Sequence, residues 1–185
     1  MVYRDRTEEE IRDIVVTRFD GSRWSDPTPV HADHWTMPAC PVNGPAVDAR
    51  DDEVLVGWYT AANDTPTLKI ARSLDAGDHF ATPVEVDVGA AVQGRVDVAI
   101  GTDAAWVLWT REDEAGQTLQ LARYAPDLSR QLQRIELARL QGRGRGTGFP
   151  QLALADGTVR VAWTDVVDGE PRLQGVVLRD PENIE

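Results

Sequence analysis

Arginine recurs at several corresponding places in this 185-residue chain: Arg4-Asp5, Arg12-Asp13, Gly94-Arg95 and Arg111, with Asn43 and Asp165 at further cognate positions. Guanidinium groups that converge on one cavity make a site for a carboxylate, because the planar fork donates two parallel hydrogen bonds to its oxygens. Convergence matters because the chain is acidic, with a net charge of −12. A small anion can be held only where arginines collect locally. Plainer readings stay open at each position. Arg95 equally suits an ion pair with Asp97, and Arg12-Asp13 suits a pair between neighbouring structural units.

What would bring these residues together is an internal repeat. Three segments, Gly44 to Ala61, Gly94 to Arg111 and Gly148 to Asp165, each read glycine, an alternating strand, a polar turn and a second strand carrying a tryptophan. Trp58, Trp109 and Trp163 mark a period of about 50 residues. Tryptophans recurring at the repeat period read as core aromatics. A second element follows each segment: Thr67 to Gly77, Thr118 to Asp127 and Pro171 to Asp180. Ile11 to Trp24 matches it too, and Tyr3-Arg4-Asp5 then takes the place of Trp58-Tyr59-Thr60. Asp127 to Leu140 has helical spacing, but the repeat favours two strands around a turn near Leu128-Ser129-Arg130.

Four strands per period of this length predict an all-β chain of β-propeller blades, with units at roughly 1–34, 35–90, 91–141 and 142–180 of one domain, 1–185. Roughly three and a half blades are present, whereas a ring needs about 4–8. The expectation is a partial propeller: either the later part of a longer, six-bladed parent whose missing N-terminal blades complete the ring, or one half of a homodimer. In this architecture the outer-to-inner connections and the loops after each tryptophan strand share one face. Arg4, Asp5, Arg12, Asp13, Asn43, Arg95, Arg111 and Asp165 should therefore line one rim, with Tyr59 and its cognate Tyr3 at strand ends there. Arg143 and Arg145, on the flexible Gly142 to Gly148 loop, can reach over it.

Ser73-Leu74-Asp75-Ala76-Gly77-Asp78-His79-Phe80 lies between the alternating runs Leu68 to Ala71 and Val84 to Val88, so it reads as a hairpin tip. The serine and aspartate can bond turn amides, the glycine supplies a positive φ, and the aromatic packs beneath. This Ser-x-Asp-x-Gly-x-x-Phe pattern resembles the Asp-box, or BNR repeat, of sialidases; Asp20 to Trp24 is a degenerate copy. With Arg4-Asp5-Arg6, Glu10 to Ile14, Cys40 to Pro45 and Gly94 to Asp97, nearly the whole chain is similar to bacterial sialidase-like BNR propellers. The resemblance implies a glycoside hydrolase acting on terminal sialic acid or a related acidic sugar. Arg4, Arg12, Asn43, Arg95 and Arg111 would bind the substrate, Asp13 or Asp5 would act as general acid, and Tyr59 would be the candidate nucleophile. The Arg-Ile-Pro motif of ordinary sialidases is absent. A non-catalytic propeller that binds glycan or protein is the alternative.

Composition narrows the remaining classes. The negative charge argues against nucleic acid and anionic membranes as partners. One cysteine, Cys40, permits no internal disulfide. His31, Asp33, His34 and Cys40 share one loop but fit no standard zinc signature, and the alternating glycines of 142–148 precede a strand, not the helix a dinucleotide fold requires. Neither a metal nor a cofactor is expected. Asn63-Asp64-Thr65 is a glycosylation sequon. The charged N-terminus is no signal peptide; localisation stays open, a secreted or periplasmic parent included.

Overall fold

Period-two alternation dominates the chain, and strands dominate the computed structural model, which describes residues 1–179. The first sheet pairs β1 (Val2–Arg4), β2 (Ile14–Val16) and β3 (Thr28–His31). The second runs β4 (Ala46–Arg50), β5 (Glu53–Thr60), β6 (Thr67–Ser73) and β7 (Val84–Val88). The third runs β8 (Val92–Ile100), β9 (Ala105–Asp113), β10 (Gly116–Tyr124) and β11 (Gln131–Leu140). The fourth holds β12 (Gln151–Ala155), β13 (Thr158–Val167) and β14 (Glu170–Arg179). Neighbouring strands within each sheet are antiparallel and consecutive in sequence. The stretch from Asp127 to Leu140, ambiguous by spacing, forms a turn and β11.

Successive sheets stack face to face around three apolar clusters. The first, with Ile14, Val16, Val56 and Trp58, lies between sheets one and two. The second, with Leu68, Ile70, Val98 and Trp109, lies between two and three. The third, with Leu108, Leu121, Leu152 and Val161, lies between three and four. Each tryptophan faces the preceding sheet, and the residue before it faces the following one. Trp58 and Trp109 are completely buried, and each fully buried large side chain contributes roughly 1.5–3 kcal/mol. Gly57, just before Trp58, lets the next sheet approach: a Cβ there would stand 2.6 Å from Val98 Cγ1.

Polar side chains fix the stacking register. Asp48 on β4 accepts from the amide of Ile100 (2.7 Å), and Asp97 on β8 accepts from that of Leu152 (2.6 Å). Each also accepts from the amide following its own residue. The same inner-strand carboxylate thus joins sheet two to three and three to four. Asp97 does not pair with Arg95. Burial raises its pKa, opposed by the amides of Leu152 and Val98.

The connections into the last strand of the first three sheets use aspartate and serine. Asp20 Oδ1 accepts from the amides of Ser22 and Arg23, and Asp127 Oδ1 from the amide and hydroxyl of Ser129. Between β6 and β7, Ser73 Oγ donates to Asp75 Oδ1 (2.7 Å) and accepts from the Gly77 amide (2.9 Å). Asp75 Oδ1 accepts from the His79 amide (2.9 Å). Gly77 has φ +92°, and Phe80 packs on the cluster containing Trp58.

Candidate functional site

At the end of the stack where the loops after β5 and β9 emerge, three of the arginine and asparagine positions singled out above tie one sheet to the next. Arg4 closes β1: its Nη1 donates to Arg12 O (2.6 Å), and its Nη2 to Asn43 O (3.1 Å) and Tyr59 O (2.6 Å). The guanidinium lies 4.8 Å from the centre of the Trp35 ring. Burial lowers its pKa to about 10, opposed by Asp33, Asp13 and Tyr59, so it stays charged at neutral pH. Asn43 joins sheet two to three, its Nδ2 donating to Gln93 O at 2.6 Å. Arg95 joins three to four, its Nη1 donating to Thr147 Oγ1 (2.8 Å) and Gly148 O (3.2 Å).

These ties frame a cavity of about 640 Å³. Trp35, Met37 and Tyr59 form an apolar wall, Asn43 and Gln93 the floor of one junction, and Arg95, Arg145 and Asp64 the charged groups. Tyr59 meets Trp35 edge to face, with ring centres 5.8 Å apart. Burial raises the pKa of its phenol, against the pull of Arg4. Gly94 makes this packing feasible: a Cβ there would sit 2.8 Å from the Cβ of Tyr59, and Gly94 and Arg95 both have positive φ, +69° and +50°. The β8 backbone is therefore irregular where it passes the cavity.

Arg95 is 7% exposed. Burial lowers its pKa; Glu112 opposes the change and Arg145 adds to it. Thr147 in turn donates to Gln117 Oε1 (2.5 Å), and Glu112 accepts from Gln117 Nε2 (2.8 Å) and the Gly144 amide (3.1 Å). This buried chain of polar groups holds the 3-10 turn Gly144–Thr147 that carries Arg145. Arg145 itself is exposed and makes no hydrogen bond or ion pair among the described residues. Across the cavity, Asp64 ends the 3-10 turn Ala62–Asp64, where Asn63 and Asp64 both adopt left-handed φ. Its carboxylate also has no partner among the described residues.

The remaining rim positions are engaged elsewhere. Arg12 donates to Met37 O (3.1 Å) and pairs with Glu10 (2.8 Å). Asp13 accepts from the amides of His34 (3.0 Å) and Trp35 (3.2 Å), fixing the loop that presents Trp35. Asp5 is exposed and does not line the cavity. Arg111 pairs with both oxygens of Asp87, at 2.6 and 2.7 Å, so it is not among the cavity's cations. Asp165 caps the amides of Gln141, Gly142 and Val166. Asp33, part of the metal-like group, accepts from Trp58 Nε1 and Lys69 Nζ, both at 2.7 Å. The residues that sequence did not single out are Trp35, Gln93 and Asp64. All three sit on loops or strand starts already assigned to this face, which was the available signal.

No family model matches the chain, and no curated protein matches it in sequence. Solved structures do. The K499G mutant of NanB sialidase from Streptococcus pneumoniae superposes with a TM-score of 0.52 at 12% identity, over 94% of this chain and 28% of that one. An endo-arabinase from Bacteroides thetaiotaomicron VPI-5482 gives 0.54 at 18%, over 89% of this chain and 66% of the other. An α-L-arabinofuranosidase from Clostridium thermocellum ATCC 27405 gives 0.52 at 14%, over 95% and 60%. The chain has the fold of glycoside hydrolase propellers. It spans between about a quarter and two thirds of the length of these propellers. At such identities the likeness concerns the fold, and the cavity must speak for the chemistry.

Proposed function

We propose that the chain carries the acid-sugar site of a sialidase-like glycoside hydrolase, with the carboxylate of sialic acid or a related sugar held between Arg145 and Arg95. One observation carries this reading: an unpartnered guanidinium beside a buried one, at a cavity with an aromatic wall. An exposed, uncompensated arginine offers the whole fork to a ligand, whereas Arg4, Arg12 and Arg111 have theirs engaged. Tyr59, half-buried and backed by the buried Trp35, supplies the apolar surface against which a pyranose ring packs. The Ser73 to Phe80 turn, with its serine–aspartate–amide bonds, supports the Asp-box part of the resemblance.

Hydrolysis asks for more. Tyr59 lines the cavity, but its phenol is held neutral and needs a base before it can attack. Asp64 lines that cavity, while Asp13 is committed to two loop amides and Asp5 lies outside. The structural use of Asp13, which fixes the Trp35 loop, favours the second reading, a non-catalytic module that binds the glycan on the same face.

Calorimetric titration with N-acetylneuraminic acid and its methyl ester tests the site. The acid should bind, the ester should bind at least tenfold more weakly, and Arg145→Ala should weaken the acid to the level of the ester. Equal binding of acid and ester would remove the carboxylate from the proposal. A fluorogenic sialoside separates the two readings: turnover lost in both Tyr59→Phe and Asp64→Asn supports hydrolysis, and binding without turnover supports the module.

A further inference from the structure

The charges facing the cavity are of both signs. Asp13, Asp165 and Glu112, acidic groups at this face, are committed to loop amides or to Gln117. Asp64 lines the cavity and makes no side-chain hydrogen bond or ion pair among the described residues; the same holds for Arg145, so the two do not pair with each other. Beside the buried Arg95, the cavity thus presents one uncompensated guanidinium and one uncompensated carboxylate. The turn that carries Asp64 is held in place. Asn63 and Asp64 follow one another at φ +55° and +58°, a conformation uncommon for residues with a side chain and found most at functional sites. Three threonines fix it: Thr60 Oγ1 accepts from the Ala62 amide (3.3 Å), Thr65 Oγ1 donates to Asn63 O (3.2 Å), and Thr67 Oγ1 donates to Thr65 O (3.0 Å). The Gly89 amide, from the connection into β8, donates to Pro66 O at 2.9 Å.

We infer, on the strength of the acid-sugar reading above, that the ligand of this cavity is zwitterionic: an acidic sugar that carries a primary ammonium as well as its carboxylate. The carboxylate lies between Arg145 and Arg95, and the ammonium lies against Asp64 and the Tyr59 ring. The signs of charge decide the class. A ligand with a carboxylate alone gains at the arginines but is repelled by Asp64, in a chain whose net charge is already −12. A hydroxyl or an acetamide beside Asp64 leaves that charge unanswered. An ammonium answers it with three hydrogen-bond donors, and gains further over an aromatic face. Ammonium and carboxylate together bring no net charge, so the acidic chain does not oppose the approach of such a ligand. Asp64 is then the residue that sets specificity, and Arg145 the one that holds the acid.

Calorimetric titration with two methyl α-glycosides tests this: that of neuraminic acid, whose amine is free, and that of N-acetylneuraminic acid. The glycosidic methyl group keeps the free amine from condensing with the sugar's own carbonyl. Near neutral pH the amine should bind at least about tenfold more tightly than the acetamide. Asp64→Asn should bring the amine down to the level of the acetamide, and asparagine suits the left-handed position, so the turn is kept. Raising the pH through the pKa of the ammonium should erase the preference in the wild-type protein. Arg145→Ala should weaken both glycosides. Equal binding of the two, or tighter binding of the acetamide, overturns the inference and leaves the acid-sugar site standing. So does a preference that survives in Asp64→Asn. Binding of neither glycoside overturns the acid-sugar reading, and this inference with it.

Discussion

The junctions between successive sheets are built in two ways. At the first two, a carboxylate from the outer strand region of one sheet reaches the tryptophan of the next. Asp33 takes the indole N–H of Trp58 and the ammonium of Lys69. Asp87, one repeat later, takes the indole of Trp109 (2.8 Å), both Nη1 contacts of Arg111, and Arg134 Nη2 (3.1 Å). Arg134 also lies 4.7 Å from the centre of the Trp109 ring. The third junction reverses the direction. Trp163 is half-buried with no such carboxylate among the described residues, and Asp165 on the fourth sheet reaches back to cap the amides of Gln141 and Gly142. A buried charge cluster adds little net stability over an apolar one, yet losing one member is severe. The first two junctions therefore depend on single residues, and the third depends on apolar area.

Removing the carboxylate of Asp87 should break this contrast most visibly. Asp87→Ala strands two guanidiniums and an indole N–H, and should cost about 3–5 kcal/mol by urea denaturation. Asp33→Ala strands one ammonium and one indole, and should fall at the low end, about 3 kcal/mol. Trp163→Phe keeps an aromatic ring at a half-buried position and removes no comparable bond, so roughly 1 kcal/mol or less is expected. Similar losses for Asp87→Ala and Trp163→Phe would mean that the junctions are energetically alike.

A smaller test uses the face between sheets. Gly57 lies against Val96 and Val98, where an added Cβ would come within 3.0 Å of both. Gly57→Ala should therefore destabilise by about 1–3 kcal/mol through overpacking. Ala162 holds the same place before Trp163 on the fourth sheet, where no further sheet follows among the described residues. Ala162→Val should stay within about 0.5 kcal/mol. A large loss there would show that this face is covered in solution.

Sequence made one half of this comparison legible. The alternating runs, the tryptophan period and the turns at Asp20, Asp75 and Asp127 are local signals, and they correspond to four antiparallel sheets of three or four described strands. The glycines before β4 and within β8 also marked the cavity-facing connections. Partner choice was not legible. An arginine on this rim reads the same whether it faces a cavity, as Arg145 does, or a carboxylate on the neighbouring sheet, as Arg111 does. Asp33 and Asp87 gave no sign of their role, because their partners are 22 to 47 residues away in Trp109, Arg111 and Arg134 for Asp87, and 25 to 36 away in Trp58 and Lys69 for Asp33. Only stacking of the sheets brings them together.

The smallest expected effect belongs to the Ser73 to Phe80 turn, which lies outside the junctions and carries its own charge pair. His79 Nδ1 meets Asp75 Oδ2 at 2.7 Å, both side chains being well exposed. The pair raises the pKa of His79, through the hydrogen bond first and the charge second. Asp75 is held below the usual carboxylate range by the His79 amide, the Ser73 hydroxyl and the His79 ring, in that order, so it stays ionised throughout the neutral range. A histidine whose folded pKa lies above its unfolded value, about 6.5, contributes its full stabilisation below that pH. The contribution fades as pH rises through the folded value. The melting temperature should therefore drift slightly downward between about pH 6 and 8 for this reason, and His79→Ala should remove that part of the drift. Asp75→Ala should remove it too, and should lower the melting temperature at every pH in the window, because the turn also loses the bonds from Ser73 and the His79 amide. Neither variant should change affinity at the cavity. An altered sugar affinity with unaltered stability would place the ligand at this turn instead, and the two ends of the sheets would have to exchange roles.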